Sequence, residues 1–230
     1  MAARQALAIG LDSRYVAHTS GMIVRPEFYD RGQIHRADER RRLGLSPELP
    51  TGLVMFGGYG SRRMLTIAQQ LAESGQPLQL IFICGHNQYL RRQLAAMELP
   101  FLCHVEGFTR EVPYFMQLAD FFIGKPGPGT ISEALVSGLP VIVARNASTM
   151  VQERYNAEWI VQNQLGIVIR RFSEISKAVA GIIDEEQSRR FRACVASLNN
   201  RAVFEIPQIL DEIMATPHAR TAQPAVHAIA

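Results

Sequence analysis

The residues with the clearest chemical potential form a glycine-rich loop, Gly124-Lys125-Pro126-Gly127-Pro128-Gly129-Thr130, followed by Glu133. Apolar runs stand on both sides, so the pattern predicts a strand, a stiff loop, a short helix and a second strand. Thr130 and Glu133 have the spacing of a capping box, which predicts that Thr130 caps the helix. The first N–H groups of such a helix lack partners and can bind an anion.

Two interpretations of this loop remain open: an ordinary strand–helix turn, or a nucleotide site in which Glu133 binds ribose hydroxyls. The loop is neither a Walker A motif nor a dinucleotide fingerprint.

Short apolar runs alternate with helical patterns along the chain. This alternation predicts an α/β fold, a Rossmann-like parallel sheet flanked by helices on both faces. The expected strands are 53–56, 78–84, 101–105, 121–123, 141–144 and 166–169. Ligands of such sheets bind outside the carboxyl ends of the strands. The turns at 57–61, 85–87, 107–109 and 124–130 all fall at that edge, and their convergence favours the nucleotide site.

Composition excludes several classes of protein. The 230 residues are 47% hydrophobic with a formal charge of +3, which suits a packed core and gives no basic stripe for nucleic acid. The three cysteines are far apart, as expected in a reducing compartment, and the six histidines show no metal-ligand spacing. No apolar run reaches the roughly 18 residues of a membrane span, and the first residues make no convincing signal peptide. We therefore expect a cytoplasmic protein that uses no metal or cofactor.

Three groups of residues are assigned no role in binding. We predict that the helix at 36–45 turns Arg40, Arg41 and Arg42 to solvent. Lys125 is expected to be solvated and His86 to lie in a loop.

Taken together, the motifs resemble the donor-binding half of family 28 glycosyltransferases of the two-domain GT-B type. The resemblance is closest to monogalactosyldiacylglycerol synthases and processive diacylglycerol glucosyltransferases, and more distant to the N-acetylglucosaminyl transferase that forms lipid II. It covers roughly residues 24–183 and is carried by Gly127-Pro128-Gly129-Thr130-Ile131-Ser132-Glu133-Ala134 and by Gln152-Glu153-Arg154-Tyr155-Asn156.

The resemblance implies a UDP-sugar site and a role for each matching residue. Phe108 and Thr109 would frame the uracil, with backbone groups of Thr109 reading its edge, and Glu133 would bind the ribose. Arg25 matches a phosphate-contacting arginine. The residues that would face the diphosphate are Gly58, Tyr59, Gly60, Ser61, Gly129 and Thr130. The sugar would lie against Gln152, Glu153 and Asn156. The 57–61 turn departs from the family patterns.

The resemblance implies inverting transfer from a UDP-hexose to a membrane lipid such as diacylglycerol, by a protein peripheral on the cytoplasmic membrane face. Residues 1–24 would be a remnant of an acceptor-binding N-terminal half or a linker, 25–215 the UDP-sugar-binding domain, and 216–230 a disordered tail. The resemblance supplies no catalytic base here, because the acceptor half of the family is not matched. Alternatives are a non-catalytic nucleotide-binding module, a subunit that a separate acceptor-domain chain completes, and a sugar-nucleotide epimerase.

Overall fold

The computed structural model describes residues 2–30, 32, 34–147 and 149–215. The tail predicted to be disordered, 216–230, lies outside these residues. The six strands are β1 (Thr51–Met55), β2 (Gln79–Ile83), β3 (Cys103–Glu106), β4 (Phe121–Gly124), β5 (Val141–Ala144) and β6 (Gly166–Ile169). They form one sheet in the order β3-β2-β1-β4-β5-β6, and every neighbouring pair is parallel. The predicted fold class is confirmed.

Helices follow the strands in alternation. They are α1 (Ala2–Ala8), α2 (Arg36–Arg42), α3 (Arg63–Ser74), α4 (Gln88–Ala95), α5 (Val112–Leu118), α6 (Pro128–Val136), α7 (Val151–Gln162), α8 (Ile175–Ile183), α9 (Glu185–Ala196) and α10 (Ala202–Ala215). Both faces of the sheet are covered, because strand side chains alternate between two hydrophobic clusters. Leu53 and Phe122 belong to the cluster beneath α5, α6 and α7, whereas Val54 and Phe121 belong to the cluster beneath α3, α4 and α8.

The amino ends of β1 and β4 are clamped by one carboxylate. Asp120 accepts hydrogen bonds from the backbone N–H of Thr51 at 2.8 Å and from the guanidinium groups of Arg36 and Arg40 at 2.7 Å each. The prediction that Arg40 faces solvent is wrong, since this residue is 4% exposed. Its guanidinium also donates to the carbonyl of Leu118, so a tertiary cluster of acceptors replaces water around it.

Candidate functional site

A crevice opens at the point where the strand order changes direction. β1 and β4 are neighbours, but their following helices lie on opposite faces of the sheet, so the loops after them separate. The cavity between these loops has a volume of about 330 Å³. It is lined by Phe56, Ser61, Arg63, Lys125, Pro126, Ala144, Asn146, Thr149, Met150, Glu153 and Phe172. The geometry is that of a ligand site in an open parallel α/β sheet.

The loop after β1 is locked to the loop after β2. The carbonyl oxygen of Gly58 accepts a hydrogen bond from the backbone N–H of His86 at 2.8 Å. Gly85 has a φ of +59°, and a Cβ at that position would overlap the same carbonyl oxygen, so only glycine allows this approach. A Cβ on Gly58 would meet open space, and the Tyr59 side chain is 78% exposed. The predicted turn at 58–61 therefore offers exposed backbone held in one shape.

The loop after β4 corrects one prediction. Helix α6 begins at Pro128 with Gly127 as its N-cap, so Thr130 lies inside the first turn and does not cap the helix. Pro128 favours this earlier start, since its fixed φ suits the first helical position. No side chain caps α6, which leaves the N–H groups of Gly129 and Thr130 without intrahelical acceptors. The start of α6 thus leaves more N–H groups unpaired than the predicted capping box would have left.

Glu133 and Arg25 are far apart in sequence and interact in the fold. Burial raises the pKa of the Glu133 carboxyl above its ordinary value, and the positive charge of Arg25 partly offsets that rise. Arg25 itself is exposed, with its guanidinium 5.3 Å from the centre of the Phe28 ring. Among the residues that the structure describes, none donates a hydrogen bond to the Glu133 carboxylate. A half-buried acceptor beside an arginine can take hydroxyl donors from a ligand.

Phe108 lies at the carboxyl end of β3 in a row of aromatic rings. It is 54% exposed, and one face of its ring stacks on the His86 imidazole, with ring centres 4.0 Å apart and planes at 19°. The Thr109 hydroxyl accepts from the backbone N–H of Glu111 at 2.9 Å. The backbone N–H of Thr109 has no hydrogen-bond acceptor within the described part of the chain. That N–H is therefore free to read a base edge, as the resemblance implies.

The three predicted sugar-binding residues on helix α7 lie in different environments. Glu153 is 7% exposed and lines the crevice, with its carboxylate 3.9 Å from the Lys125 ammonium. Asn156 donates a hydrogen bond to the carbonyl of Pro126 at 2.9 Å and so supports the loop after β4. Gln152 is exposed, and its amide nitrogen lies 3.4 Å from the Met150 sulfur. Their sugar-binding roles stay predictions.

Sequence reasoning missed three residues of this region. Lys125 is only half exposed and lies along the crevice, Arg63 lines its opposite side, and His86 packs against Phe108. The position of Lys125 inside the glycine-rich loop was the available signal. For His86 the available signal was its place in the 85–87 turn at the carboxyl edge. For Arg63 no local pattern distinguishes a site residue from an ordinary helix residue.

Within the described ranges, no three His, Cys, Asp or Glu side chains are grouped as metal ligands. The absence of a metal from the reaction remains a prediction. None of the helices in the described residues is long and apolar enough to cross a bilayer.

Comparison with known proteins agrees with the fold. A profile of the glycosyltransferase family 28 C-terminal domain matches residues 53–206. The chain is 36% identical over 203 residues to the probable monogalactosyldiacylglycerol synthase 3 of Oryza sativa subsp. japonica, covering 84% of this chain and 39% of that protein. The matched part of this chain thus spans about two fifths of that relative's length.

Two solved structures have the same fold at low identity. MurG of Acinetobacter baumannii superposes with a TM-score of 0.61 and 15% identity, covering 86% of this chain and 58% of that one. MnaA of S. aureus, solved with UDP, superposes with a TM-score of 0.62 and 16% identity, covering 92% and 57%. The fold, the profile match and the relative agree: this chain belongs to glycosyltransferase family 28 and carries its C-terminal domain.

Proposed function

We propose that this chain is the UDP-hexose-binding domain of an inverting glycosyltransferase whose acceptor is a membrane lipid such as diacylglycerol. The observation that supports this most directly is the Glu133 carboxylate. It is half-buried, feels the positive charge of Arg25 and has no hydrogen-bond donor among the described residues, and it follows the open first turn of α6. A ribose offers the adjacent hydroxyl donors that this carboxylate lacks.

The electrostatics suit the departure of a nucleoside diphosphate. As the bond between the anomeric carbon and UDP breaks, positive character grows on the sugar ring and negative charge grows on the leaving group. The free N–H groups of Gly129 and Thr130 and the cations of Arg25 and Lys125 can stabilise that negative charge. We assign no base to the described residues; the group that takes the proton of the acceptor hydroxyl would come from an acceptor-binding half, in the same or a separate chain.

The relatives support the acceptor class. The rice relative is named as a probable synthase of monogalactosyldiacylglycerol, a lipid in which one galactose is joined to diacylglycerol. We extend the class, a hexose donor and a membrane lipid, to this chain, and we propose that it works at a membrane surface. Glucose, galactose and N-acetylglucosamine remain alternatives for the sugar.

Calorimetric titration of the whole chain with UDP, ADP and GDP tests the donor proposal. We expect UDP to bind and the purine nucleotides to bind weakly or not at all. Glu133→Gln should weaken UDP binding by roughly 1–2 kcal/mol, because a charged hydrogen-bond acceptor becomes neutral. The matched control is Glu98→Gln, at an exposed position in the loop after α4, which should leave the affinity for UDP unchanged. Equal binding of all three nucleotides, or unchanged UDP affinity in Glu133→Gln, would contradict the proposal.

A further inference from the structure

We propose that His86 is a positioning residue for nucleotide binding: its imidazole backs the Phe108 ring and so makes a rigid platform on which the base of the donor stacks. This inference rests on the proposed function. It adds a residue to which neither the resemblance nor the sequence analysis assigns a role in binding.

The backbone of His86 is held in place from two sides. Its N–H donates to the carbonyl of Gly58, and Gly85 before it can be only glycine. Asn87 after it caps α4 by accepting from the N–H of Leu90 at 2.9 Å, and its amide nitrogen lies 3.3 Å from the Tyr59 carbonyl. The imidazole therefore projects from a locked junction between the loops after β1 and β2, and its position does not depend on a mobile turn.

The spacing of the rings decides where a base can lie. His86 and Phe108 are nearly parallel with centres 4.0 Å apart, so the two rings are in contact and no third ring fits between them. Phe108 is nevertheless 54% exposed, which leaves its other face open. The ring centre of Tyr59 lies 5.7 Å from that of His86, with the two planes tilted by 46°. A base thus stacks on the outer face of Phe108, and His86 keeps that face turned outward.

Stacking on this platform should affect how tightly a nucleotide binds but not which base is preferred. Stacking on an aromatic face accepts any planar base, because every base has a π-face. Recognition of uracil would then come from the backbone of Thr109, and His86 would contribute only to how tightly the nucleoside part is held. Loss of His86 should weaken ligands that carry a base and should spare those that carry only phosphate.

The test compares His86→Ala, His86→Phe and the control Tyr89→Ala in titrations of the whole chain with UDP, UMP and pyrophosphate. Tyr89 is a neighbouring aromatic residue, 65% exposed, that stacks on no other ring in the described residues. For His86→Ala we expect the Kd of UDP and UMP to rise about three- to tenfold, as for loss of one aromatic pair, with pyrophosphate binding unchanged. His86→Phe should restore binding, and Tyr89→Ala should match the wild type.

Three results would overturn the proposal. They are unchanged or tighter UMP binding by His86→Ala, an equal loss for pyrophosphate, and failure of a folded His86→Phe to restore UMP binding. These results differ from a failure of the proposed function itself. In that case the wild-type chain would show no preference for UDP or UMP over purine nucleotides.

Discussion

Replacement of Asp120 by Asn should lower the free energy of unfolding more than any substitution at the surface, because Asp120 holds together the amino ends of β1 and β4. The carboxylate holds Arg36 and Arg40 at 2.7 Å each, the Thr51 N–H at 2.8 Å and Arg192 at 3.3 Å. Asn offers one acceptor oxygen in place of two and turns an NH₂ group toward the guanidinium groups. The buried Arg40 would then keep its charge without a counter-ion.

The magnitude follows from the exposure of the partners. Removing one member of a buried ion pair costs about 3–5 kcal/mol. Arg36 and Arg192 are 40% and 51% exposed and can be hydrated, so we expect the lower end, about 3 kcal/mol. For a chain of this size that loss lowers Tm by about 6–12 °C, since 1 kcal/mol corresponds to about 2–4 °C.

The pH dependence gives a second, independent signature. Burial alone would raise the pKa of Asp120, but Arg36 and Arg40 outweigh it and hold the pKa below its ordinary value. A depressed carboxyl pKa in the folded state means that the stabilisation is present above the unfolded pKa, about 3.9, and is lost as the pH falls through the folded value. The difference between wild type and Asp120→Asn should therefore shrink below about pH 4.

Chemical denaturation with urea, read by circular dichroism at several pH values, measures both effects. Asp38→Asn is the matched control, because Asp38 pairs with Arg41 on the surface, where the side chains are 72% and 59% exposed. That variant should be indistinguishable from the wild type. If Asp120→Asn lowers the free energy of unfolding by less than about 1 kcal/mol, the cluster contributes no more than ordinary surface ion pairs. That result would refute the stabilising role of Asp120.

Three further predictions concern the crevice and its supports. Lys125→Gln should raise the Kd of UDP about three- to tenfold in calorimetry and leave the Kd of uridine unchanged. The control Lys177→Gln, at an exposed position on α8, should leave both Kd values unchanged. Equal effects of the two variants would contradict a phosphate-binding role for Lys125. Gly85→Ala should reduce UDP binding and Tm together, because its Cβ overlaps the Gly58 carbonyl; a variant with wild-type binding would show that the two loops are not locked. Cys84 is buried, and burial raises the pKa of its thiol to about 11, so iodoacetamide should modify it at pH 8 only after unfolding; labelling of the folded chain, followed by mass spectrometry, would disprove this.

Much of the fold was predictable because its signals are local. An apolar run such as 141–144 must be buried on both sides, and the turn residues around it limit its length, so its strand has the predicted bounds. The loop at 124–130 carries its own glycines and prolines and was placed correctly at the carboxyl edge. The start of α6 was not, because the capping pattern of Thr130 competes with the preference of Pro128 for the first turn, and Pro128 prevails.

The sequence by itself determined the alternation of strands and helices, the edge at which the loops gather, and the residues that we propose face a nucleotide. Periodicity and turn chemistry act over a few residues and can be read without the fold. The tertiary structure decided which distant residues act on one another: the charge of Arg25 lowers the pKa of the Glu133 carboxyl, Lys125 lies beside Glu153, and His86 stacks on Phe108. These contacts depend on the order and the faces of the parallel strands, because the sheet brings side chains from separate loops together only when it closes.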